Sequence, residues 1–378
     1  MVGRPVLVDV SVVIPTLNEA GTIGTCIEKV KRVFEECDVD GEIVVSDSSN
    51  DETASIAKSL GAKVVTPDKR GYGYAYLYGF KHVSGRYIVM GDGDDTYDFL
   101  ELPKLLKPLL AGESDLVLGS RFKGGIEKGA MPWLHRYIGN PLLTWFLNLF
   151  FSAGVSDAHC GLRAISRDAL DRLELYSSGM EFASEMIIMA AMKDIRMMEV
   201  PISYHPRRGN SKLSSFNDGW RHMKFMLLYA PTSLYLIPGL TLFSLGWLMM
   251  FLSFFGLDIG FIPSTNSLIF SSFSVIMGFQ VVYLGLFAKL YLRHEMLKIS
   301  DRVSEFVLRH LSLEKGIAVG ALLFLGGLGY IGYLILIWVK SGYRILPLIG
   351  ESIVGLTFLT LGLQIFFNSF FLSMLAER

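Results

Sequence analysis

Cysteine is scarce in this chain. Cys26, Cys37 and Cys160 are the only three in 378 residues. Their number is odd and their spacing fits no metal-binding pattern, so a disulfide framework is not expected and a reducing compartment is. Net charge is lacking as well. The 35 Lys and Arg stand against 36 Asp and Glu, a balance of −1 that points to neither nucleic acid nor an acidic partner. The first β-like run has no Gly-x-Gly-x-x-Gly turn after it and ends instead in Pro15-Thr16-Leu17-Asn18-Glu19, which argues against a nicotinamide enzyme. No secretory signal is visible either. Residues 6–14 are short, β-branched and interrupted by Asp9, so they read as a strand entering a domain that stays on the side where it is made.

Charge is missing most conspicuously from the last 150 residues. None occurs at 225–257, 259–288, 316–339 or 352–376. A hydrocarbon core needs about 20 helical residues to cross, and these runs lack the polar faces of soluble core helices. Spans are expected at about 232–256, 264–288, 316–339 and 352–376, dividing the chain into domains 1–225 and 226–378. The link between the second and third spans carries Lys289, Arg293, Lys298, Arg302, Arg309 and Lys315, whereas 256–267 has no basic residue and the last link has only Lys340 and Arg344. Basic links favour the cytoplasm, so the sequence predicts a multi-pass cell-membrane protein whose first domain and both termini are cytoplasmic. Gly320, Gly326, Gly327, Gly329 and Gly332 crowd the third span, where small residues let helices approach. No span carries a charge pair at its middle; Gln280 is the most polar candidate and Glu351 sits near an end, which gives ion-coupled transport little support.

What is present in the first half is alternation. Strand-like runs at 6–14, 42–46, 63–65, 87–91 and 116–118 alternate with helical segments near 20–36, 51–60, 74–82 and 100–110. The pattern predicts an α/β doubly wound sheet of parallel strands, with ligands at the strands' carboxyl ends. After the second strand, Asn50 or Asp51 reads as a helix cap, leaving Asp47 at the tip where a base or ribose fits. After the fourth come Gly91-Asp92-Gly93-Asp94-Asp95-Thr96-Tyr97-Asp98. Asp92 and Asp94, two apart, share a face and suit one hard cation; an acidic capping turn is the alternative.

Residues 133–151 are apolar, aromatic and too short to span, with Trp133, Tyr137, Leu142 and Trp145 among them. We expect an interfacial segment there, a buried helix being the alternative, and another at 215–228 around Trp220, Arg221, His222 and Lys224. His159 and His205 are not expected to be catalysts. Glu181 and Glu185 lie one turn apart, on a face expected to be solvated or hydrogen-bonded.

Pro15-Thr16-Leu17-Asn18-Glu19, Asp47 in its Ser/Asn/Asp-rich context and Asp92-Gly93-Asp94 together resemble the family 2 glycosyltransferases of GT-A fold. More narrowly, Gly119-Ser120-Arg121-Phe122, Asp157-Ala158-His159-Cys160-Gly161-Leu162-Arg163, Glu199-Val200-Pro201 and Ser211-Lys212-Leu213 resemble the polyprenyl-phosphate group typified by dolichol-phosphate mannose synthases. The likeness covers nearly all of 6–215, and a four-span tail occurs in some members. Ser46 stands where many members have Asp, and Asp95-Thr96-Tyr97 where mannose synthases usually read Leu-Gln-His.

The resemblance implies a GT-A sheet followed by an all-α membrane domain. It implies inverting transfer of a hexose from a nucleotide sugar, of GDP-mannose or UDP-glucose type, to a polyprenyl or dolichyl phosphate. By the same likeness Pro15, Asn18, Glu19, Asp47, Arg70 and Gly93 hold the nucleotide. Asp92 and Asp94 hold Mg²⁺ or Mn²⁺ and, with Arg121, are catalytic. Arg121, Arg136, Arg207 or Arg208, and Lys212 meet the acceptor phosphate. The expected partners are the two substrates and the bilayer, with no nucleic acid; homo-oligomerisation is left open. A lipid-linked sugar flippase or scramblase with a nucleotide-sugar-binding domain is the alternative. A processive polysaccharide synthase is weaker, because no Gln-x-x-Arg-Trp element is present.

Overall fold

The computed structural model describes residues 9–208, 215–257, 264–293, 302–310, 312–343 and 349–376. Residues 6–8, Lys212, Lys298 and Arg344 of the sequence reading lie outside them. The chain divides into two units, Met1–Met226 and Leu227–Arg378.

The first unit is built on seven strands: β1 (Val10–Thr16), β2 (Gly41–Asp47), β3 (Lys63–Val65), β4 (Tyr87–Met90), β5 (Leu116–Ile126), β6 (Arg163–Ser166) and β7 (Met197–Tyr204). Their order in the sheet is β3-β2-β1-β4-β6-β5-β7. The first four pair in parallel, joined by α1 (Ile23–Glu36), α2 (Thr53–Ser59) and α3 (Tyr72–Phe80), as the alternation predicts. The helix α4 (Leu102–Leu110) leads into β5. In α1 the residues Ile23, Cys26, Ile27, Val30 and Val33 recur at helical spacing and are buried in a core with Val12, Ile14, Val45 and Val89. Each such aliphatic side chain contributes about 1.5–3 kcal/mol by leaving water.

The expectation of an all-parallel sheet is corrected at β6, which runs antiparallel to both β4 and β5. A parallel neighbour needs a crossover to the opposite end of the sheet, whereas an antiparallel one re-enters where the previous strand left. The excursion from β5 through α5 (Asn140–Phe151) therefore returns at the carboxyl ends of the parallel strands. Residues 157–161 are thereby delivered beside the tip of β4. The remaining elements here are α6 (Arg167–Leu173), α7 (Phe182–Met192) and α8 (Ser215–Tyr229).

The second unit consists of α9 (Ile237–Phe254), α10 (Thr265–Tyr291), α11 (Arg302–His310), α12 (Leu313–Lys340) and α13 (Ile349–Ala376) among the described residues. Four helical stretches are long and apolar enough to cross a membrane: Thr232–Phe254, Thr265–Tyr291, Leu313–Lys340 and Ile349–Ala376. The helices pack as two hairpins with one device. Gly320 and Gly327 of α12 lie seven apart, two turns on one face, and a β-carbon at either would come within 2.7 Å of the α13 backbone at Phe366 or Leu359. Gly239 and Gly246 of α9 repeat the spacing against Val282 and Val275 of α10. The crowded glycines of the third span thus do different things, because a β-carbon at Gly326, Gly329 or Gly332 meets nothing within 4 Å. A hydroxyl pair, Ser272 and Thr357 at 2.6 Å, links α10 to α13.

Gly327→Leu is expected to part α12 from α13 and lower the detergent-solubilised melting temperature by several degrees, while Gly329→Leu leaves it within about a degree. Equal effects in a thermal-shift series would count against this packing.

Candidate active site

Two strand tips are stitched together first. Thr16 Oγ1 donates to Asp47 Oδ1 at 2.7 Å, and the Ser49 hydroxyl donates to the same carboxylate. Asn18, at φ 56°, accepts from the Asn50 N–H at 2.9 Å, and its own N–H donates to Ser49 Oγ. Asp51 Oδ1 accepts from the Thr53 N–H at 3.0 Å and so takes up a free N–H at the start of α2, although the residue at the cap position itself is Glu52. Asp47, left for a ligand in that reading, is buried and already holds two hydroxyls.

The acidic segment after β4 separates into two pairs. Asp95 and Asp98 turn to Lys29, at 2.8 and 3.2 Å, and Asp98 also caps the short helix Phe99–Glu101. The capping alternative therefore describes Asp98. Asp92 and Asp94 turn the other way, into a cavity of about 460 Å³. Asp92 Oδ1 accepts from the phenols of Tyr72 at 2.9 Å and Tyr76 at 3.3 Å, both on α3. Asp94 Oδ1 accepts from Thr96 Oγ1 at 2.6 Å. Gly161 closes against this pair; a β-carbon there would lie 2.8 Å from Asp92 Oδ2.

Arg121, buried near the middle of β5, lines the same cavity. Asp157 grips it through Nε and Nη2, both at 2.7 Å, and its guanidinium lies 5.1 Å from the Tyr204 ring centre. Glu199 accepts from the N–H groups of Ser156 and Asp157, so the carboxylate that holds Arg121 is itself held. Arg163, also buried, donates to the carbonyls of Ala158, Cys160 and Ala183 and sets the course of the loop. Arg207 bridges from Glu19 Oε1 at 2.8 Å to Asp94 Oδ2 at 3.3 Å.

Of the sequence-derived candidates, Pro15, Glu19, Arg70, Asp92, Gly93, Asp94, Arg121 and Arg207 line one cavity. Asn18, Asp47, Arg136 and Arg208 are not among its lining residues. Arg136 instead donates to the Ile126 carbonyl and lies over the ring of Tyr137. Tyr72, Gly161, His159, Arg221 and His222 line it without having been singled out as ligands. Glu185 is buried, accepts from the N–H groups of Tyr176 and Ser177, and is pushed up to about 7 by burial, so its face is hydrogen-bonded and not solvated. On the segment expected at an interface, Trp133, Tyr137, Leu142, Trp145 and Leu149 are exposed, with Thr144 and Leu147 buried. A buried helix would hide these large rings, so that alternative is not met.

Burial and the neighbouring Asp94 charge push the Asp92 carboxyl up to about 7 from its ordinary 3.8. A carboxyl raised on folding binds its proton more tightly in the folded state, so ion-free protein loses stability as pH rises from about 4 to about 7. Asp92→Asn is expected to flatten that slope in melting curves taken in EDTA; Glu185 contributes the same sign and remains. A slope identical in the two proteins would contradict the burial of this carboxylate.

Both units carry family signatures. Residues 11–174 match the family model glycosyl transferase family 2, and residues 286–376 match the glycosyltransferase family 2 C-terminal transmembrane region. The low-salt glycan biosynthesis hexosyltransferase Agl6 of Haloferax volcanii is 47% identical over 368 residues, 97% of this chain and 89% of that protein. A dolichyl-phosphate hexose transferase of the same organism is 34% identical over 211 residues, 56% of this chain and 89% of that one. Among solved structures, the glucosyl-3-phosphoglycerate synthase of Mycobacterium tuberculosis, in complex with Mn²⁺, uridine diphosphate and glucosyl-3-phosphoglycerate, aligns with TM-score 0.48 at 24% identity, covering 59% of this chain and 80% of that one. With near-full-length identity of this order and both family signatures in sequence order, the chain belongs to glycosyltransferase family 2 and is a membrane glycosyltransferase, its α/β sheet of GT-A type followed by transmembrane helices.

Proposed function

We propose that the enzyme transfers a hexose from a nucleotide sugar to a polyprenyl phosphate of dolichyl type. One observation carries this reading: a single cavity is lined by both the Asp92–Asp94 pair and the Asp157-braced Arg121. The carboxylate pair suits a cation-bound diphosphate and the arginine suits an attacking phosphate. The relative named a dolichyl-phosphate hexose transferase supports the acceptor class. No observation favours the flippase alternative.

The residues fit a divalent ion. Their donors are hard carboxylate oxygens, and the Arg207 guanidinium already rests against Asp94 and Glu19 as a cation does. Among the described residues no group of three or more His, Cys, Asp or Glu is placed to bind a metal, so Asp92 and Asp94 would be the protein's share of the ligands. Bound there, Mg²⁺ or Mn²⁺ supplies neutralisation of the charge developing on the departing diphosphate. Tyr72 and Tyr76 fix the Asp92 carboxylate by donating to one of its oxygens. Pro15, Glu19, Arg70 and Gly93 border the nucleotide end, and Arg121 orients the acceptor phosphate with a planar fork of donors.

The acceptor phosphate oxygen is anionic near neutral pH, so the attack needs positioning and water exclusion more than a strong base. The bond from the anomeric carbon to the diphosphate oxygen breaks as the bond to the acceptor phosphate oxygen forms on the opposite face. An α-linked donor thus gives a β-linked lipid-phosphate sugar and free nucleoside diphosphate. The exposed rings of Trp133, Tyr137 and Trp145 suit a membrane surface, and the basic link after the second span supports a cytoplasmic site.

A panel tests the reading: radiolabelled UDP-glucose, UDP-GlcNAc and GDP-mannose, each with dolichyl and undecaprenyl phosphate, with and without EDTA. Lipid-soluble label is expected from at least one pair and is lost in EDTA; no such product from any pair sinks the proposal. Asp92→Ala is expected to abolish transfer while still inserting in the membrane. Arg121→Lys, which keeps a charge beside buried Asp157 but loses the fork, is expected to raise the acceptor KM about 10- to 100-fold with little change in donor KM. Unaltered acceptor kinetics would remove Arg121 from that role.

A further inference from the structure

Four arginines line the cavity, Arg70, Arg121, Arg207 and Arg221, and they are not equally committed. Arg121 is gripped by Asp157, and Arg207 faces Glu19 and Asp94. Arg70 and Arg221 are exposed, and among the described residues neither makes an ion pair. A phosphate monoester carries about −1.5 to −2 charge near neutral pH. Arg121 can offer such a group its remaining N–H donors, but Asp157 already matches its charge. A phosphate held there alone would go largely uncompensated. Arg70 borders the nucleotide in the reading proposed above, which leaves Arg221 as the cation without a task.

The placement of Arg221 says which phosphate it serves. It lies on α8, where the next residue, His222, is buried. Ser184 Oγ lies 2.7 Å from His222 Nδ1, and the His222 ring meets His159 edge to face with centres 4.5 Å apart. His159 belongs to the loop 157–161, two residues after the Asp157 that braces Arg121. The loop that fixes Arg121 is thus also the one against which this turn of α8 is docked. Successive helical residues stand about 100° apart, so with His222 turned inward Arg221 can border the cavity and still be exposed. In sequence α8 ends at Tyr229, and the first membrane-crossing stretch begins at Thr232. Trp220, beside Arg221, is exposed as well. A cation on such a helix suits a phosphate carried by a lipid, because that phosphate stays at the bilayer surface.

We propose that Arg221 is the counter-charge of the acceptor's phosphate, receiving the lipid phosphate monoester and sharing it with Arg121. The assignment deepens the glycosyl-transfer reading and rests on it for the identity of the acceptor, so direct binding is measured apart from turnover. Full-length enzyme in phosphatidylcholine nanodiscs is titrated with dolichyl phosphate and, in parallel, with dolichol. Wild type is expected to bind the phosphorylated lipid more tightly. Arg221→Gln, which keeps much of the stem and drops the charge, is expected to weaken dolichyl phosphate binding about 10-fold and leave dolichol binding unchanged. Arg221→Lys restores a point charge and is expected to return to within about threefold of wild type. Lys224→Ala removes another exposed cation of α8, one that does not line the cavity, and is expected to stay within about twofold. With the donor found active in the panel, Arg221→Gln is expected to raise acceptor KM about 10-fold while donor KM and kcat stay within about twofold.

Unchanged binding in Arg221→Gln, or no preference for phosphate in wild type, would overturn the assignment. An equal loss in Lys224→Ala would show a general surface charge instead, and a loss shared by dolichol would show a structural role. A change confined to donor KM would hand Arg221 to the diphosphate. Phosphate binding that depends on Arg221 without transfer from any donor would sink the parent reading and leave this site standing.

Discussion

Arg121 and Asp157 form a buried, two-point ion pair on which the arrangement of the cavity depends. Two charges taken out of water are tolerated when their geometry is good and further hydrogen bonds support them, and this pair is built that way. Asp157 also accepts from the Arg121 backbone N–H, and Glu199 fastens the backbone on either side of it. Removing one member of such a pair typically costs about 3–5 kcal/mol because the other stays buried and uncompensated. The pair joins β5 to the loop before β6, and so fixes Arg121 against the loop that also reaches Asp92.

That loop reaches the tip of β4 because β6 is antiparallel. A parallel strand in the same slot would enter from the far edge of the sheet and leave 157–161 remote from Asp92. Topology, pairing and chemistry are thus linked. The reversal delivers the loop, Arg163 shapes it through three carbonyls, and Gly161 admits it against Asp92 where no side chain would fit.

The parallel strands β1 to β4 were legible because long β-branched runs alternate with amphipathic helices, and their tips carry residues that neither element calls for. Asp92 and Asp94 were found that way and Pro15 and Glu19 through the family resemblance, and all four line one cavity. The strands β6 and β7 were not legible. One is four residues long and opens on a buried arginine, and the other contains Pro201, so neither resembles a strand locally. Tyr72 and Tyr76 were not singled out, since their partner Asp92 is distant in sequence. Asp47 stands at a strand tip as expected, but it is not among the residues lining the cavity, and its Oδ1 takes the hydroxyls of Thr16 and Ser49. His159 was set aside because the expected mechanism calls for no histidine, and its neighbours Ser184 and His222 lie far along the chain.

The glycine pairs of the membrane half bear on biogenesis. Within each hairpin the close backbone approach is between helices adjacent in sequence, α9 with α10 and α12 with α13. Each newly synthesised pair therefore carries its own zipper into the bilayer and closes without waiting for the other, leaving the Ser272–Thr357 contact as a later seam between finished parts.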